Sequence, residues 1–134
     1  MIVAVDPGLM TGVAWYNAGD VGTQQLDVES FYAFVDAWRD DVTQVVCEAY
    51  MISPDTLRKT RQLWSLELIG LLRFKCWQLK IPFELQQASS AKKFCSNDLL
   101  KQFGFYRPGQ DHANDALRHL CIYLVKHGSL EMPT

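Results

Sequence analysis

The chain opens on an unbroken apolar run, Met1–Val5, which ends on a carboxylate, Asp6, and a Pro7-Gly8 turn. A short continuous run of this kind reads as a strand covered on both faces of a sheet. Gly12–Tyr16 and Val21–Asp27 predict two more strands, joined by Asn17-Ala18-Gly19-Asp20, which has hairpin-turn chemistry. The period then changes. Phe31, Phe34, Val35 and Trp38 fall at helical spacing and form one apolar stripe, with Ser30 placed to cap it. Thr43–Cys47 returns to a buried-strand pattern and runs into a second acid, Glu48.

Ser53-Pro54-Asp55 carries helix-start signals, and the pattern predicts one helix from there to Leu79. Its second half, from Leu66 to Trp77, is apolar on more than one face. One side covers the sheet; the other needs a second cover, within the domain or across a dimer. Ile81–Gln86 predicts a fifth strand. A short helix starts near Ser89 or Ser90, and another spans Ser96–Phe103. Beyond the breaks at Gly104 and Arg107-Pro108-Gly109, a last helix runs from Asp111, its expected N-cap, to Lys126, with Gly128 closing it. A three-strand meander followed by alternating helices and strands predicts an α/β fold: a mixed sheet with helices on both faces.

Composition narrows the class. The 134 residues, 49% hydrophobic and 21% charged, read as one domain, 1–134, of a soluble protein. No apolar run approaches the ~18 residues of a membrane span. No basic-then-apolar leader precedes the first strand, so a cytoplasmic location and no membrane partner are expected. Cys47, Cys76, Cys95 and Cys121 are scattered without a C-x-x-C pair, which suits buried reduced thiols better than a zinc site or a disulfide framework. The net charge of -2 argues mildly against a nucleic-acid partner. The distribution argues the other way: Arg58, Lys59, Arg61, Lys92, Lys93 and Arg107 all flank the acids described next.

Burying an unpaired carboxylate such as Asp6 costs several kcal/mol, so a turn, a salt bridge or a metal ion must compensate it. The last helix opens Asp111-His112-Ala113-Asn114-Asp115, which puts His112 and Asp115 on one helix face. If the first and fourth strands are neighbours, Asp6 and Glu48 lie side by side at the carboxyl edge of the sheet, where α/β folds bind ligands. Two carboxylates about 4 Å apart repel by ~4 kcal/mol at an effective dielectric of ~20. A divalent cation removes that cost, and oxygen ligands with one imidazole suit Mg²⁺ or Mn²⁺ better than zinc. Two such ions ~3.5–4 Å apart can drive in-line phosphodiester cleavage. Taken singly, each acid also has an ordinary role: a turn residue at Asp6, a partner for Arg58 or Lys59 at Glu48, a helix-start acid at Asp111 or Asp115.

The segments V-A-V-D-P-G-L-M-T-G-V-A, V-V-C-E and H-A-N-D-A-L, in that order, resemble the RuvC-type Holliday-junction resolvases of the ribonuclease H-like superfamily. The similarity covers almost the whole chain. It implies a ribonuclease H-like mixed five-stranded sheet, with Asp6, Glu48, His112 and Asp115 as the metal-binding catalytic set for two Mg²⁺ or Mn²⁺ ions and Asp111 in support. It implies a lysine near the scissile phosphate, Lys93 with Lys92 as its rival. It also implies an apolar or aromatic residue after Glu48, Tyr50 or Met51, that inserts at an unpaired junction centre, where stacking is worth ~1–3 kcal/mol per base. Arg58, Lys59, Arg61 and Arg107 complete the expected DNA-binding rim. The partner implied is branched DNA, held by a homodimer that cuts two strands of a four-way junction. The helix around Leu63–Trp77 is the candidate dimer surface, or equally an ordinary buried helix. The turn after D-P-G-L is one residue shorter than the usual pattern, and the short chain suits a compact phage member acting in a host cytoplasm.

Three alternatives stay open. One is a related nuclease acting on flaps, forks or RNA–DNA hybrids. Another is a non-catalytic DNA-binding protein of the same fold. An actin-like ATPase or sugar kinase would need two such domains around its nucleotide, so no nucleotide cofactor is expected.

Overall fold

The computed structural model describes residues 1–55 and 63–134. Among them, β1 (Ile2–Asp6), β2 (Thr11–Asn17), β3 (Asp20–Leu26), β4 (Gln44–Glu48) and β5 (Phe83–Gln86) form one sheet in the order β3-β2-β1-β4-β5. β1, β2 and β3 are the antiparallel meander; β1–β4 and β4–β5 are parallel. The helices are α1 (Val28–Asp36), α2 (Trp64–Leu79), α3 (Ala88–Phe94), α4 (Asn97–Phe103) and α5 (Asp111–Lys126). This is the mixed, helix-covered sheet that the pattern predicts. None of the described helices is long and apolar enough to cross a membrane.

β1 is buried on both faces, which explains its unbroken apolar run. Val3 and Val5, with Val13, Val45 and Cys47, pack against Phe31 and Val35 of α1, Trp38 beyond it, and Leu68, Ile69 and Leu72 of α2. Ala4, Ala14 and Val46 face the other way, against Leu100 of α4 and Leu117, Leu120 and Leu124 of α5. Each fully buried large apolar side chain contributes roughly 1.5–3 kcal/mol. The alanines are small because α5 lies close over the sheet there. All four cysteines are buried and unpaired, in line with the expectation.

Three helix starts differ from the sequence reading. α1 is capped by Asp27, whose Oδ1 accepts the Ser30 amide at 2.8 Å; Ser30 lies inside the helix as the donor. A single helix from Ser53 to Leu79 does not form. Leu63 has non-helical dihedrals (φ -100°, ψ 69°), and α2 begins after it, where the Ser65 hydroxyl donates to the Pro7 carbonyl at 2.7 Å. That bond ties the helix start to the β1–β2 turn. Asp111 is the first helical residue rather than the N-cap. The free amides of His112 and Ala113 donate instead to Gln25 Oε1 of β3, at 3.0 and 3.2 Å. The neighbouring strand thus satisfies orphan donors that a local cap would otherwise take. At the other end Gly128 adopts φ 76° and closes α5 as expected.

Candidate active site

Register builds the site. Ala4 pairs with Ala14 on one side and Val46 on the other, and all three side chains face α5. One pleat further along, hence on the same face, stand Asp6, Gly12 and Glu48. Asp6 is paired with Gly12, and Glu48 with Gln86 of β5. Gly12, Asp6, Glu48 and Gln86 therefore form a row across four strands at one edge of the sheet. α5 starts over this row. A Cβ at Gly12 would overlap the backbone carbonyl of His112, so only glycine admits the helix this close.

His112, Asp115 and His119 share one stripe of α5 and meet the row below. His112 Nδ1 is 3.9 Å from Asp6 Oδ2. His119 Nε2 is 3.4 Å from Glu48 Oε1, and its Nδ1 is 2.9 Å from Gln86 Oε1. Arg118 Nη1 holds Asp115 Oδ1 at 2.8 Å, while its other nitrogens bond the Cys95 carbonyl (2.9 Å) and Asn97. The four residues read as the catalytic set are thus gathered at one place.

Their charges do not sit there freely. Burial pushes the Asp6 carboxyl up, to about 9; its hydrogen bond with Glu48 and the charges of Glu48 and Asp115 add to the rise, and Lys92 opposes it. Burial pushes Glu48 the same way, but His119, Asp6 and Lys92 outweigh it and hold Glu48 well below the usual carboxylate range. Burial also raises Asp115, against the pull of Arg118. Without a cation, then, Asp6 keeps a proton and Glu48 carries the charge.

A cleft of about 890 Å³ opens over these groups. Its walls include the Pro7–Met10 turn, Asp27, Glu29, Trp64 and Lys92. Of the lysine pair, Lys92 lines the cleft and Lys93 does not. Met51 is 71% exposed on the loop after Glu48, whereas Tyr50 packs against the core. Arg107 is occupied within its own loop: its side chain donates to the Phe105 carbonyl, and its backbone exchanges two bonds with the Asn114 side chain. Asp111 borders a smaller polar pocket of about 260 Å³ with Lys92, Asn97, Asn114, Asp115 and Arg118. Arg58, Lys59 and Arg61 lie outside the described residues.

Gln25, Trp64, Gln86, Arg118 and His119 are absent from the sequence reading. Arg118 and His119 had a local signal, three and four residues after Asp115 on the same helix; the others depend on tertiary placement.

Among the described residues, no three carboxylate, imidazole or thiol groups already form a ready-made cation site. The donor chemistry nonetheless fits a hard divalent ion. Three acids crowd one partly buried edge, where burial and their neighbours' charges raise the carboxyls of Asp6 and Asp115.

No protein-family model and no curated protein matches the chain. Solved structures do. RuvC of Thermus thermophilus in complex with a Holliday junction substrate superposes with a TM-score of 0.64 at 14% identity, covering 96% of each chain. A second Thermus thermophilus RuvC structure gives 0.61 at 15% identity, again over 96% of each. The chain shares the ribonuclease H-like fold of these RuvC structures.

Proposed function

We propose that this chain is a divalent-cation-dependent endonuclease that cuts branched DNA, above all four-way junctions, and works as a homodimer. One observation carries the reading: Asp6, Glu48, His112 and Asp115, remote in sequence, meet at one sheet edge under a cleft, in a fold shared with a RuvC solved on a junction.

Asp6, Glu48, Asp115 and His112 would hold two Mg²⁺ or Mn²⁺ ions, which supply an activated water and charge stabilisation for phosphodiester hydrolysis. Asp6, between Glu48 and His112, would be the ligand common to both ions. Lys92, which lines the cleft and whose charge acts on all three acids, would hold a phosphate oxygen. Met51 projects into solvent beside the site and is the candidate for insertion between unpaired bases. Lys93, Arg107 and the Arg58–Arg61 segment are the remaining candidates for backbone contacts, whose contribution falls steeply with salt.

The homodimer surface proposed is the outer side of α2. Phe74 and Trp77 are exposed there with ring centroids 5.9 Å apart, and Tyr32 of α1 borders a groove of about 460 Å³ beside Phe74. Gly70 shares the outer face, and a side chain there would meet nothing. A mid-helix glycine costs roughly 1 kcal/mol against alanine, and close approach of a second helix is what would offset it.

The test is incubation of the chain with a labelled four-way junction, a fork, a flap, an RNA–DNA hybrid and linear duplex, each with Mg²⁺, Mn²⁺ or EDTA. Cation-dependent cutting of the junction, abolished by Asp6→Asn with binding retained, is the expected result. A non-catalytic DNA-binding protein is the second reading, and one observation favours it: Arg118 already neutralises Asp115. Junction binding with no cleavage under any cation would decide for it.

A further inference from the structure

We propose that His119 is a positioning residue that holds the Glu48 carboxylate through an Nε2–H donor, while Gln86 fixes the tautomer of its ring from behind. This rests on the reading of Glu48 as a cation ligand.

His119 is fully buried under the sheet edge and does not line the cleft. Its Nδ1 meets Gln86 Oε1 at 2.9 Å. Its Nε2 makes no hydrogen bond of ordinary length and faces Glu48 Oε1 at 3.4 Å. Gln86 Nε2 is likewise buried without a partner. Two orphan donors beside one carboxylate form a puzzle with a simple solution. A neutral imidazole carries one N–H. If Nδ1 carries it, the bare lone pair of Nε2 points at a carboxylate, which is repulsive. If Nε2 carries it, the ring donates to Glu48 and Nδ1 becomes an acceptor. Turning the Gln86 amide over exchanges two groups of nearly equal size and brings its NH₂ to Nδ1. Both orphan donors are then used. What remains unpaired is the Gln86 carbonyl oxygen, a cheaper atom to leave short of partners than an N–H.

With Oε1 engaged from the interior, Oε2 is the oxygen left for Asp6 and the cleft, which Glu48 lines. A carboxylate fixed in one rotamer loses less freedom when it takes up a cation, and outer partners of this kind are worth roughly 10–100-fold in metal affinity.

Two measurements on the full chain test this. In EDTA, long-range ¹H–¹⁵N spectra should show His119 as the Nε2–H tautomer; an Nδ1–H tautomer would overturn the proposal. Mn²⁺ binding, followed by electron paramagnetic resonance, should weaken roughly 10–100-fold in His119→Leu and recover in His119→Gln, whose amide can donate to the same oxygen. Unchanged affinity in a folded His119→Leu protein would overturn the positioning role. Should that variant not fold, the tautomer of the native chain decides alone. A native chain that takes up no Mn²⁺ would defeat the cation reading itself, and the positioning role with it. Normal uptake that is insensitive to His119 would defeat only the latter.

Discussion

Asp6 and Gly12 are opposite each other in the β1–β2 ladder, and the main chain of His112 fills the space that a Gly12 side chain would need. This one pairing sets the height of α5 over the sheet, and therefore the distance from His112 and Asp115 to Asp6. Gly12→Ala must push backbone against backbone. The expected cost is roughly 1–3 kcal/mol of stability, read from urea denaturation. On the proposed reading, junction cleavage should fall further than the loss of folded protein accounts for, since His112 and Asp115 on α5 are displaced from Asp6.

Gln25 anchors the same helix start from β3. Gln25→Leu removes the acceptor for two amides, with an expected loss of about 1 kcal/mol, comparable with removing a helix cap. Gln25→Glu keeps an acceptor and places an anion at a helix N-terminus, which the dipole favours. The thermal midpoint should therefore drop in the leucine variant and largely return in the glutamate variant. Equal midpoints in all three proteins would show that the two bonds contribute nothing.

The raised Asp6 makes the metal-free protein sensitive to alkali. A group whose folded pKa lies above its unfolded one contributes stability that is complete below the ordinary carboxylate range and is lost as pH climbs toward about 9. Asp115 is raised too and acts in the same direction. Glu48 is depressed; its contribution is present at neutral pH and is lost only on acidification. In EDTA, stability should therefore decline from about pH 5 to about pH 9. Asp6→Asn should flatten that decline, and Mn²⁺ should reverse it, since a cation replaces the proton. A native profile that rises over this window would contradict the proton assignment.

The sequence made the elements and the acid positions legible because both are local. Apolar runs, a hairpin turn and carboxylates at strand ends need no tertiary knowledge. The pairing that brings Asp6 beside Glu48 stayed a condition, because the helix before β4 implies a parallel crossover without saying which strand β4 joins; the structure shows that it joins β1. What stayed hidden was supplied from elsewhere in the fold. Asp111 looked like a cap, but the acceptor came from Gln25, remote in sequence. Ser30 resembles a cap only if the strand runs through Asp27; β3 ends at Leu26, which leaves Asp27 to cap the helix. Leu63 carries no breaker chemistry, so the start of α2 could not be seen. His119 follows Asp115 on its helix face, but its role shows only once Glu48 and Gln86 are placed around it.

The two adjacent lysines should separate cleanly. Lys92 lines the cleft and acts on Asp6, Glu48 and Asp115, whereas Lys93, also exposed on α3, does not line it. Lys92→Ala should reduce single-turnover cleavage by roughly ten-fold or more, as expected for loss of a charge aimed at the reacting phosphate. Lys93→Ala should weaken junction binding only, with a shallower salt dependence. The reverse pattern would assign the phosphate contact to Lys93.

Trp77 offers a test of the proposed homodimer. Its side chain is 75% exposed and Phe74 is 57% exposed, so neither holds the fold together. Aromatic side chains of this size bury about 150–250 Å² each when covered, enough for a pair of them on each protomer to anchor a helix-to-helix contact. Trp77→Glu should leave the unfolding free energy of the isolated fold within about 0.5 kcal/mol of native, as for other exposed substitutions, while placing a charge at the centre of the proposed contact. Sedimentation should then show a native dimer and a Trp77→Glu monomer. The monomer should still bind a single DNA arm but lose paired cutting of the junction. A native chain that sediments as a monomer at micromolar concentration would remove the outer face of α2 from consideration and leave Phe74 and Trp77 without a partner.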